Sequence, residues 1–220
     1  MPSGNSSSYA PTVSAGDVSG TKASVVRLAG TLHGTGRFKA GTTGLGAHVV
    51  IEADASGFTG ILNPNGATGW VNFGCEVFNG EVAPWNGAAI GTERATSVQL
   101  NKLTINSAGS PLIVHFSESA GRTGTITVTN AFSQAGTITV QLRGDLPPPG
   151  KYPVLRLASG CIGDFDRSQI TFGGFVTDLR AARTVSSKYA ETALVFATEG
   201  DGSRVVYVDV PELATVLYMR

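Results

Sequence analysis

Glycine corners alternate with short β-branched segments between Leu28 and Leu62, and no helical pattern intervenes. Glycine tolerates positive φ values and a close approach of neighbouring backbone, both of which tight corners require. The segment from His48 to Ala53 is rich in valine and isoleucine and is bounded by turn residues, as expected of a short strand. This stretch therefore predicts a coiled β-sheet.

β-like segments continue along the rest of the chain at regular intervals. Similar strand positions recur every 22 to 28 residues, at Val25, Val49, Val71, Val98, Ile126 and Val154. Repeats of this length are typical of solenoids, in which each coil buries its inner face by stacking on its neighbours. We therefore predict an all-β chain that folds as a β-solenoid, with a β-sandwich as the alternative. The best helical candidate, Thr177 to Tyr189, has a weak apolar face.

Two dipeptides predict local hairpins, Asn79-Gly80 and Asp201-Gly202, because such pairs favour the primed turns that join antiparallel strands. The second dipeptide lies between two β-rich runs and indicates a C-terminal hairpin region. The sequence GTITV occurs twice, at 124–128 and at 136–140. These two copies are either successive faces of one coil or the two arms of a hairpin.

The chain is long enough to bury a core, and an all-β unit of 220 residues is commonly one domain. We expect a flexible lead-in over residues 1–20, which are rich in serine, glycine and proline. Solenoid coils should occupy residues 21–146. The run from Pro147 to Gly150 must interrupt strand pairing, because proline lacks a backbone donor. It separates the coils from a β-rich terminal part of the same domain, residues 147–220.

The charge and hydropathy patterns argue against several partners. Charged residues make up 15% of the chain, and 16 basic residues balance 16 acidic ones without blocks of either sign. Nucleic-acid-binding proteins usually present a basic face, so we expect no nucleic-acid partner. No segment approaches the roughly 18 apolar residues of a membrane-spanning helix, so we expect no membrane insertion. The composition resembles that of exported proteins, and we interpret the missing secretory signal as a leader already removed.

Cys75 and Cys161 lie too far apart in sequence for a CxxC metal or redox motif. They could form one disulfide if the fold brings their Cα atoms within about 7 Å. The alternative is that both are small buried hydrophobic residues, which is common for free cysteine.

The best cluster of ionisable residues is Asp164, Asp166 and Arg167. The two carboxylates would share one face of an extended segment, where they could bind Ca²⁺ or act as an acid and a base. Alternatively, they cap backbone N–H groups in a solvated turn. Together with an aromatic residue such as Trp85, these three residues form our candidate glycan-binding set.

Other motifs of catalysis or cofactor binding are missing from the sequence. No stretch matches the nucleophile elbow GxSxG, the zinc motif HExxH, a Walker loop or GxGxxG. His33, His48 and His115 are isolated from one another in sequence, so we expect no metal site and no cofactor. Trp70 and Trp85 bracket an aromatic segment that stacks on sugars, packs into the core or caps the open end of the solenoid.

Three pieces of the glycine-rich run resemble the autotransporter-associated β-strand repeat: the corner Gly34-Thr35-Gly36, the strand from His48 to Ala53, and the corner from Ser56 to Gly60. Two later segments, 150–174 and 188–210, look like the terminal part of such passenger regions, and together the matches cover about half of the chain. The resemblance implies a right-handed parallel β-helix that is exported and exposed at the cell surface. It implies a spacer, an adhesin or an assembly scaffold, and it does not imply catalysis.

We therefore expect a non-catalytic, extracellular or cell-surface structural protein that acts as a scaffold, an adhesive module or an assembly subunit. Its partners would be other copies of itself or neighbouring surface proteins, because the terminal strands of a solenoid remain open to further pairing. The alternative is a glycan-binding or carbohydrate-active protein built on the same scaffold.

Overall fold

The computed structural model describes residues 12–13, 25–41, 48–178, 181–184 and 192–212. Within these ranges the chain is almost entirely β, which confirms the predicted all-β class, and its one helical segment is a short 3-10 turn, Arg167–Gln169. The strands are β1 Thr12–Val13, β2 Val25–Leu28, β3 Arg37–Ala40, β4 His48–Ile51, β5 Ile61–Pro64, β6 Trp70–Phe73, β7 Val77–Val82, β8 Ala89–Thr92, β9 Val98–Ile105, β10 Ser110–Ser117, β11 Arg122–Thr123, β12 Ile126–Gln134, β13 Ile138–Gly144, β14 Gly150–Leu157, β15 Ile170–Asp178, β16 Ala181–Thr184, β17 Ala193–Thr198 and β18 Arg204–Val210.

The strands divide between two sheets, and up to β10 consecutive strands alternate between them. The first sheet has the order β1-β3-β5-β7-β9-β12-β14-β18-β17. The second has the order β16-β15-β13-β10-β8-β6-β4-β2, with β11 paired to β10 outside this path. From β1 to β14 in the first sheet and from β2 to β15 in the second, neighbouring strands run parallel. Parallel neighbours need a crossover connection, and here the crossover is a strand of the opposite sheet.

Antiparallel strands lie at the C-terminal end of both sheets. Strand β18 pairs antiparallel with β14 and with β17, and β16 pairs antiparallel with β15. The β17–β18 hairpin turns at Asp201-Gly202, as predicted. Its loop is closed by hydrogen bonds between Glu199 and Ser203 and between Gly202 and Glu199, of 2.8 and 2.9 Å. Gly202 has a φ of 82°, which glycine adopts without strain.

The second predicted hairpin is wrong. Asn79 and Gly80 lie inside β7, whose neighbours β5 and β9 both run parallel to it. A Cβ atom on Gly80 would stand 2.6 Å from the carbonyl oxygen of Gly60 and 2.8 Å from the ring of Phe58. The glycine is therefore required by the close approach of the segment before β5 and not by a turn.

The two GTITV copies lie on different sheets. The first contributes to β12 in the first sheet and the second to β13 in the second sheet, and each pairs in parallel with the strands beside it. Of the two alternatives, the structure therefore has successive faces and not the arms of a hairpin.

The helical candidate is also wrong where the structure describes it. Residues 177–178 end β15, and residues 181–184 form β16. The remaining residues of the candidate, 179–180 and 185–189, lie outside the described ranges.

The core lies between the two sheets and is continuous along them. In strands such as β7 and β13 alternate residues are buried, and aliphatic side chains of both sheets meet in the core. Phe78 packs with Phe58 and Phe73 at ring-centroid distances of 5.3 and 5.4 Å. Ile126 and Val128 of β12 are fully buried in the same core cluster. This packing holds the sheets face to face and leaves their outer faces for polar residues.

Strand pairing in the structure can be compared with the expected domain limits at two places. Thr12–Val13, inside the expected lead-in, pairs in parallel with residues 39–40 of β3. The proline run joins β13 to β14, and parallel pairing continues across it, because β14 lies beside β12. The Tyr152 hydroxyl donates to the Pro148 carbonyl oxygen at 2.8 Å and holds the loop against β14.

Candidate functional site on the outer face of the second sheet

Outward-facing side chains of the second sheet bring polar and aromatic residues from several strands together. The parallel register places His48 of β4 beside Trp70 of β6, and Asn72 of β6 beside Gly91 of β8. Since successive side chains of a strand point to opposite faces, residues in one such row share the outer face. The group, called here the Glu93 cluster, consists of Arg27, His48, Glu52, Trp70, Asn72, Glu93, His115 and Arg143.

Glu93, just after β8, is the hub of the cluster. It accepts hydrogen bonds from Arg143 at 2.8 Å, from Arg27 at 3.3 Å and from the Asn72 amide at 3.3 Å. Arg27 also forms an ion pair with Glu52. These contacts link β2, β6 and β13 through one carboxylate, and the two arginines balance the two glutamates in charge.

Trp70 lies between a histidine and an arginine. The His48 ring stacks on it with a centroid distance of 4.7 Å and an interplanar angle of 6°. The guanidinium of Arg143 lies 4.8 Å from the centroid of the Trp70 ring, within the range of a cation–π contact. Trp70 is buried on what is otherwise an outer face, because Ala89 and Ile113 form a small apolar cluster with it.

Four buried side-chain atoms of the cluster have no hydrogen-bond partner in the described structure: Trp70 Nε1, Asn72 Oδ1, His115 Nδ1 and Arg143 Nε. Buried polar atoms are usually paired, because leaving them unpaired costs the desolvation of the group. The cluster is thus a partly satisfied polar network.

Burial and charge perturb the titration of the cluster. Burial lowers the pKa of His48, an effect that Glu93 opposes and that Arg143 and Arg27 reinforce. Burial also lowers the pKa of His115, with Arg143 acting in the same direction. For Glu93, burial favours the neutral carboxyl, but hydrogen bonds and charge from Arg143 and Arg27 outweigh it and lower the pKa. At neutral pH the cluster therefore holds neutral imidazoles around a charged Glu93–arginine network.

The side chains of the Glu93 cluster connect strands of the second sheet to one another. Among the described residues, no three His, Cys, Asp or Glu side chains are grouped so that they could hold a metal ion. The Glu93 carboxylate is occupied by its two arginines and Asn72, and the His48 ring nitrogen Nε2 is engaged by Asn72 at 3.0 Å. The side chains of His48, Asn72, Glu93 and the two arginines are thus bonded to one another across the sheet.

The candidate glycan-binding set is spread along one edge of the stack. Trp85 is half exposed at the corner between β7 and β8, whereas Asp164, Asp166 and Arg167 lie in the connection between β14 and β15. In the first sheet, β9 and β12 separate β7 from β14, which corresponds to three strand spacings or about 14 Å. The structure therefore does not bring Trp85 together with the acidic turn.

Local contacts occupy the acidic turn itself. Asp166 caps the 3-10 turn by accepting hydrogen bonds from the Ser168 backbone N–H at 3.1 Å and from the Gln169 amide at 2.8 Å. Hydrogen bonds from Ser168 and Gln169 lower the pKa of Asp166. Asp164 accepts from the Phe165 backbone N–H at 2.7 Å and lies 3.5 Å from Arg204. Both carboxylates thus organise the turn.

Arg167 also makes a local contact, since its guanidinium lies 5.4 Å from the ring centroid of Phe196 in β17. The contact connects the turn to the C-terminal hairpin. The side chain is directed to this ring, and its charge is used in packing the end of the first sheet.

Both cysteines are free and buried, so the disulfide alternative is not found. Cys75 lies between β6 and β7, and Cys161 lies between β14 and β15, three strand positions further along the first sheet. Burial raises the pKa of the Cys75 thiol to about 11. Burial likewise raises the pKa of Cys161, against a smaller opposing effect of Arg204.

Sequence reasoning did not find the Glu93 cluster. It considered two of its histidines, His48 and His115, as isolated residues, and it considered Trp70 only with its aromatic neighbours. Arg27 and Glu93 went unnoticed, because they are 66 positions apart in the chain. Both residues occupy outward-facing positions of the second sheet. This shared orientation is the signal that could have found them, and it can be recognised only after the strands of that sheet have been aligned with one another.

Comparison of the chain with protein-family models, with curated proteins and with solved structures finds no match, and so no catalytic family is identified. Among the described residues there is no helix long and apolar enough to cross a membrane.

Proposed function

We propose that this chain is a right-handed parallel β-helix that serves as a non-catalytic structural module outside the cell, as a scaffold, an adhesive module or an assembly subunit. Strands that alternate between two sheets and pair in parallel with the strand of the adjacent coil are the pattern of such a helix. An immunoglobulin-like sandwich would instead consist of antiparallel sheets. Right-handedness is supported by the general rule that parallel crossover connections take this hand.

The observation that carries the proposed role is the use of outward-facing charges. On the first sheet, Glu81 accepts hydrogen bonds from Lys102 at 3.2 Å and from Thr104 at 2.8 Å. On the second sheet, Glu93 is bound by two arginines from other strands. These residues connect β7 to the adjacent β9 and connect the corner after β8 to β2 and β13, which lie further along the second sheet. Such ties between strands support rigidity as the function.

Corner side chains support the same role. Asn86 donates a 2.8 Å hydrogen bond to the Asn65 side chain, and Asn106 donates at 2.7 Å to the carbonyl oxygen of Pro84. Each bond connects the corner of one coil to that of an adjacent coil. Partly buried polar groups paired in this way support a fixed stacking register of the coils.

The terminal strands support self-association. In the described residues, β2 ends the second sheet and β17 ends the first, and a terminal strand presents unpaired backbone groups that can template further pairing. The inward residues of β2, Val26 and Leu28, are only half buried. Other copies of this chain or neighbouring surface proteins are the partners that such ends would take.

The architecture can be tested with spin labels in the full chain. Lys39 of β3 and Ser133 of β12 are four strand spacings apart in the first sheet, so labels at Lys39→Cys and Ser133→Cys should lie about 19 Å apart at the backbone. Labels at Thr104 and Ser133, which are directly paired, provide the short-distance control. A sheet order other than the parallel stack would give distances that violate this pattern.

The cellular role needs a separate test. Antibody against the chain should label intact producing cells, and light scattering of the purified protein should show association that increases with concentration. Labelling that requires cell lysis, or a strict monomer, would overturn the surface-assembly role. Binding on a glycan array or release of reducing sugar from polysaccharides would favour the glycan-binding alternative instead.

A further inference from the structure

The hydrogen bond between His48 and Asn72 depends on the charge of the imidazole. The Asn72 amide nitrogen lies 3.0 Å from His48 Nε2 and 3.3 Å from Glu93 Oε2. A carboxylate only accepts hydrogen bonds, so the amide must turn its nitrogen, the donor, toward Glu93. His48 Nε2 is therefore the acceptor of the shared nitrogen, and the neutral ring carries its proton on Nδ1.

A proton on His48 Nε2 would place a second donor against the Asn72 amide nitrogen. Rotating the amide by half a turn would offer His48 an oxygen, but it would direct that oxygen toward Glu93 as well. Neither orientation of Asn72 satisfies all neighbours once His48 is charged.

The charged and titratable groups around His48 come from several different strands of the second sheet and the corners that follow them. Arg27 on β2 and Arg143 on β13 repel a proton on the ring, and Glu93, after β8, attracts it. Glu52 after β4 is paired with Arg27, and His115 on β10 lies in register with Arg143. Burial lowers the pKa of His48 and outweighs the attraction of Glu93.

We propose that the chain of contacts from His48 through Asn72 to Glu93 is an acid-sensitive latch, which holds β2 and β4 to the later strands of the second sheet while His48 is neutral and loosens them when His48 gains a proton. Strand β4 is affected directly through His48. Strand β2 is affected because Arg27 reaches Glu93, the same carboxylate that Asn72 binds. The latch follows from these contacts alone and does not depend on the proposed surface role.

Hydrogen–deuterium exchange of the full chain at about pH 7.5 and pH 5, corrected for intrinsic exchange rates, tests the latch. We expect amides of β2 and β4 to lose protection on the order of tenfold relative to β9 on acidification, the effect of about one lost hydrogen bond. In His48→Gln the side chain keeps an oxygen that accepts from Asn72 but cannot titrate, so this selective loss should disappear. His33→Gln, which changes an exposed histidine outside the cluster, should keep it.

Ring nitrogen spectra of the unsubstituted chain give a second readout that does not depend on the folding of a variant. They should show His48 with its proton on Nδ1 at neutral pH and a pKa below 6.5. The latch is overturned if His48 carries the proton on Nε2 at neutral pH or titrates at or above 6.5. The latch is also overturned if β9 loses as much protection as β2 and β4 on acidification. It is likewise overturned if the selective loss persists in His48→Gln.

Discussion

Arg143 donates a 2.8 Å hydrogen bond to Glu93 across 50 positions of the chain. The same guanidinium donates to the Thr92 carbonyl oxygen at 2.8 Å and covers the ring of Trp70. The side chains of Arg143 and Glu93 are only 11% and 15% exposed, so their attraction is less screened than that of a surface pair. One contact of β13 thereby fastens the corner that follows β8.

Replacing Glu93 with glutamine should destabilise the fold, because Arg143 would remain buried without its counter-charge. We expect a decrease of about 2 to 4 kcal/mol in the free energy of unfolding, measured by urea denaturation. Glu76→Gln, at an exposed position, is the matched control and should change stability by less than about 0.5 kcal/mol. Equal effects of the two substitutions would contradict the role of Glu93 as a hub.

Gly91→Ala should also be destabilising. Its Cβ would stand 2.0 Å from the carbonyl oxygen of Ile113 and 2.8 Å from Asn72 Oδ1, so backbone and cluster must both shift. We expect a loss of about 1 to 3 kcal/mol, as for other overpacked sites. Gly36→Ala, whose Cβ would meet open space, is the control, and thermal unfolding of the two variants compares them. A Gly91→Ala variant as stable as the control would show that the tight contact relaxes freely.

Truncation of two neighbouring residues of β7 should destabilise the fold to very different extents. Phe78 is fully buried against two phenylalanines, so Phe78→Ala should cost about 3 to 5 kcal/mol of unfolding free energy. Val77 is 39% exposed on the other face, and Val77→Ala should cost far less. Denaturant midpoints of both variants check the strand parity. A reversed order would place β7 one residue out of register.

Stability should decline with acid in two stages. The pKa values of His48 and His115 are lowered from 6.5 by burial, so the unfolded chain binds these protons more readily, and stability falls as the pH decreases below 6.5. The lowered pKa of Glu93 adds stability above pH 4.5 that is lost as the pH falls through its folded value. Urea unfolding at intervals from about pH 8 to pH 3 measures both stages. The double variant His48→Gln, His115→Gln should lack the first stage, and a first stage that survives in it must have another origin.

Both thiols should be unreactive in the native protein. Cys75 and Cys161 are buried, and the pKa of Cys75 is raised to about 11, so little thiolate is present at pH 8. Ellman's reagent should label neither residue in buffer and both in urea. Absence of labelling in urea without reductant would instead reveal a disulfide.

The regular spacing of similar strand positions correctly indicated repeated strands, but it combined positions from the two different sheets. Val49 and Val71 are true partners in the second sheet, and Val98 and Ile126 are true partners in the first. Val71 and Val98 belong to different sheets. The residue of the second sheet that pairs with Val71 on the following strand, β8, is Ile90. Apolar periodicity detects strands but cannot say which of the two sheets each strand joins, because both sheets bury the same kinds of side chain.

Turn dipeptides were reliable only where the surrounding pairing agreed with them. Asp201-Gly202 joins two antiparallel strands, whereas Asn79-Gly80 lies within a parallel one. Both have the same local preference for a turn. At Gly80 the adjacent coil approaches so closely that a glycine is needed for space, and nothing in the neighbouring sequence reports that approach.

Local sequence determined that this chain is β-rich, where many of its strands lie and that its C-terminal part contains a hairpin, because strand propensity, alternation and turn chemistry act over a few residues. Tertiary structure alone decided which strands pair and which outward residues meet. Arg27, Glu93 and Arg143 come together because parallel pairing places β13 two strand positions and β2 three strand positions from β8, the strand that Glu93 follows. The energy of that stacking depends on the whole register of both sheets, and no single segment encodes it.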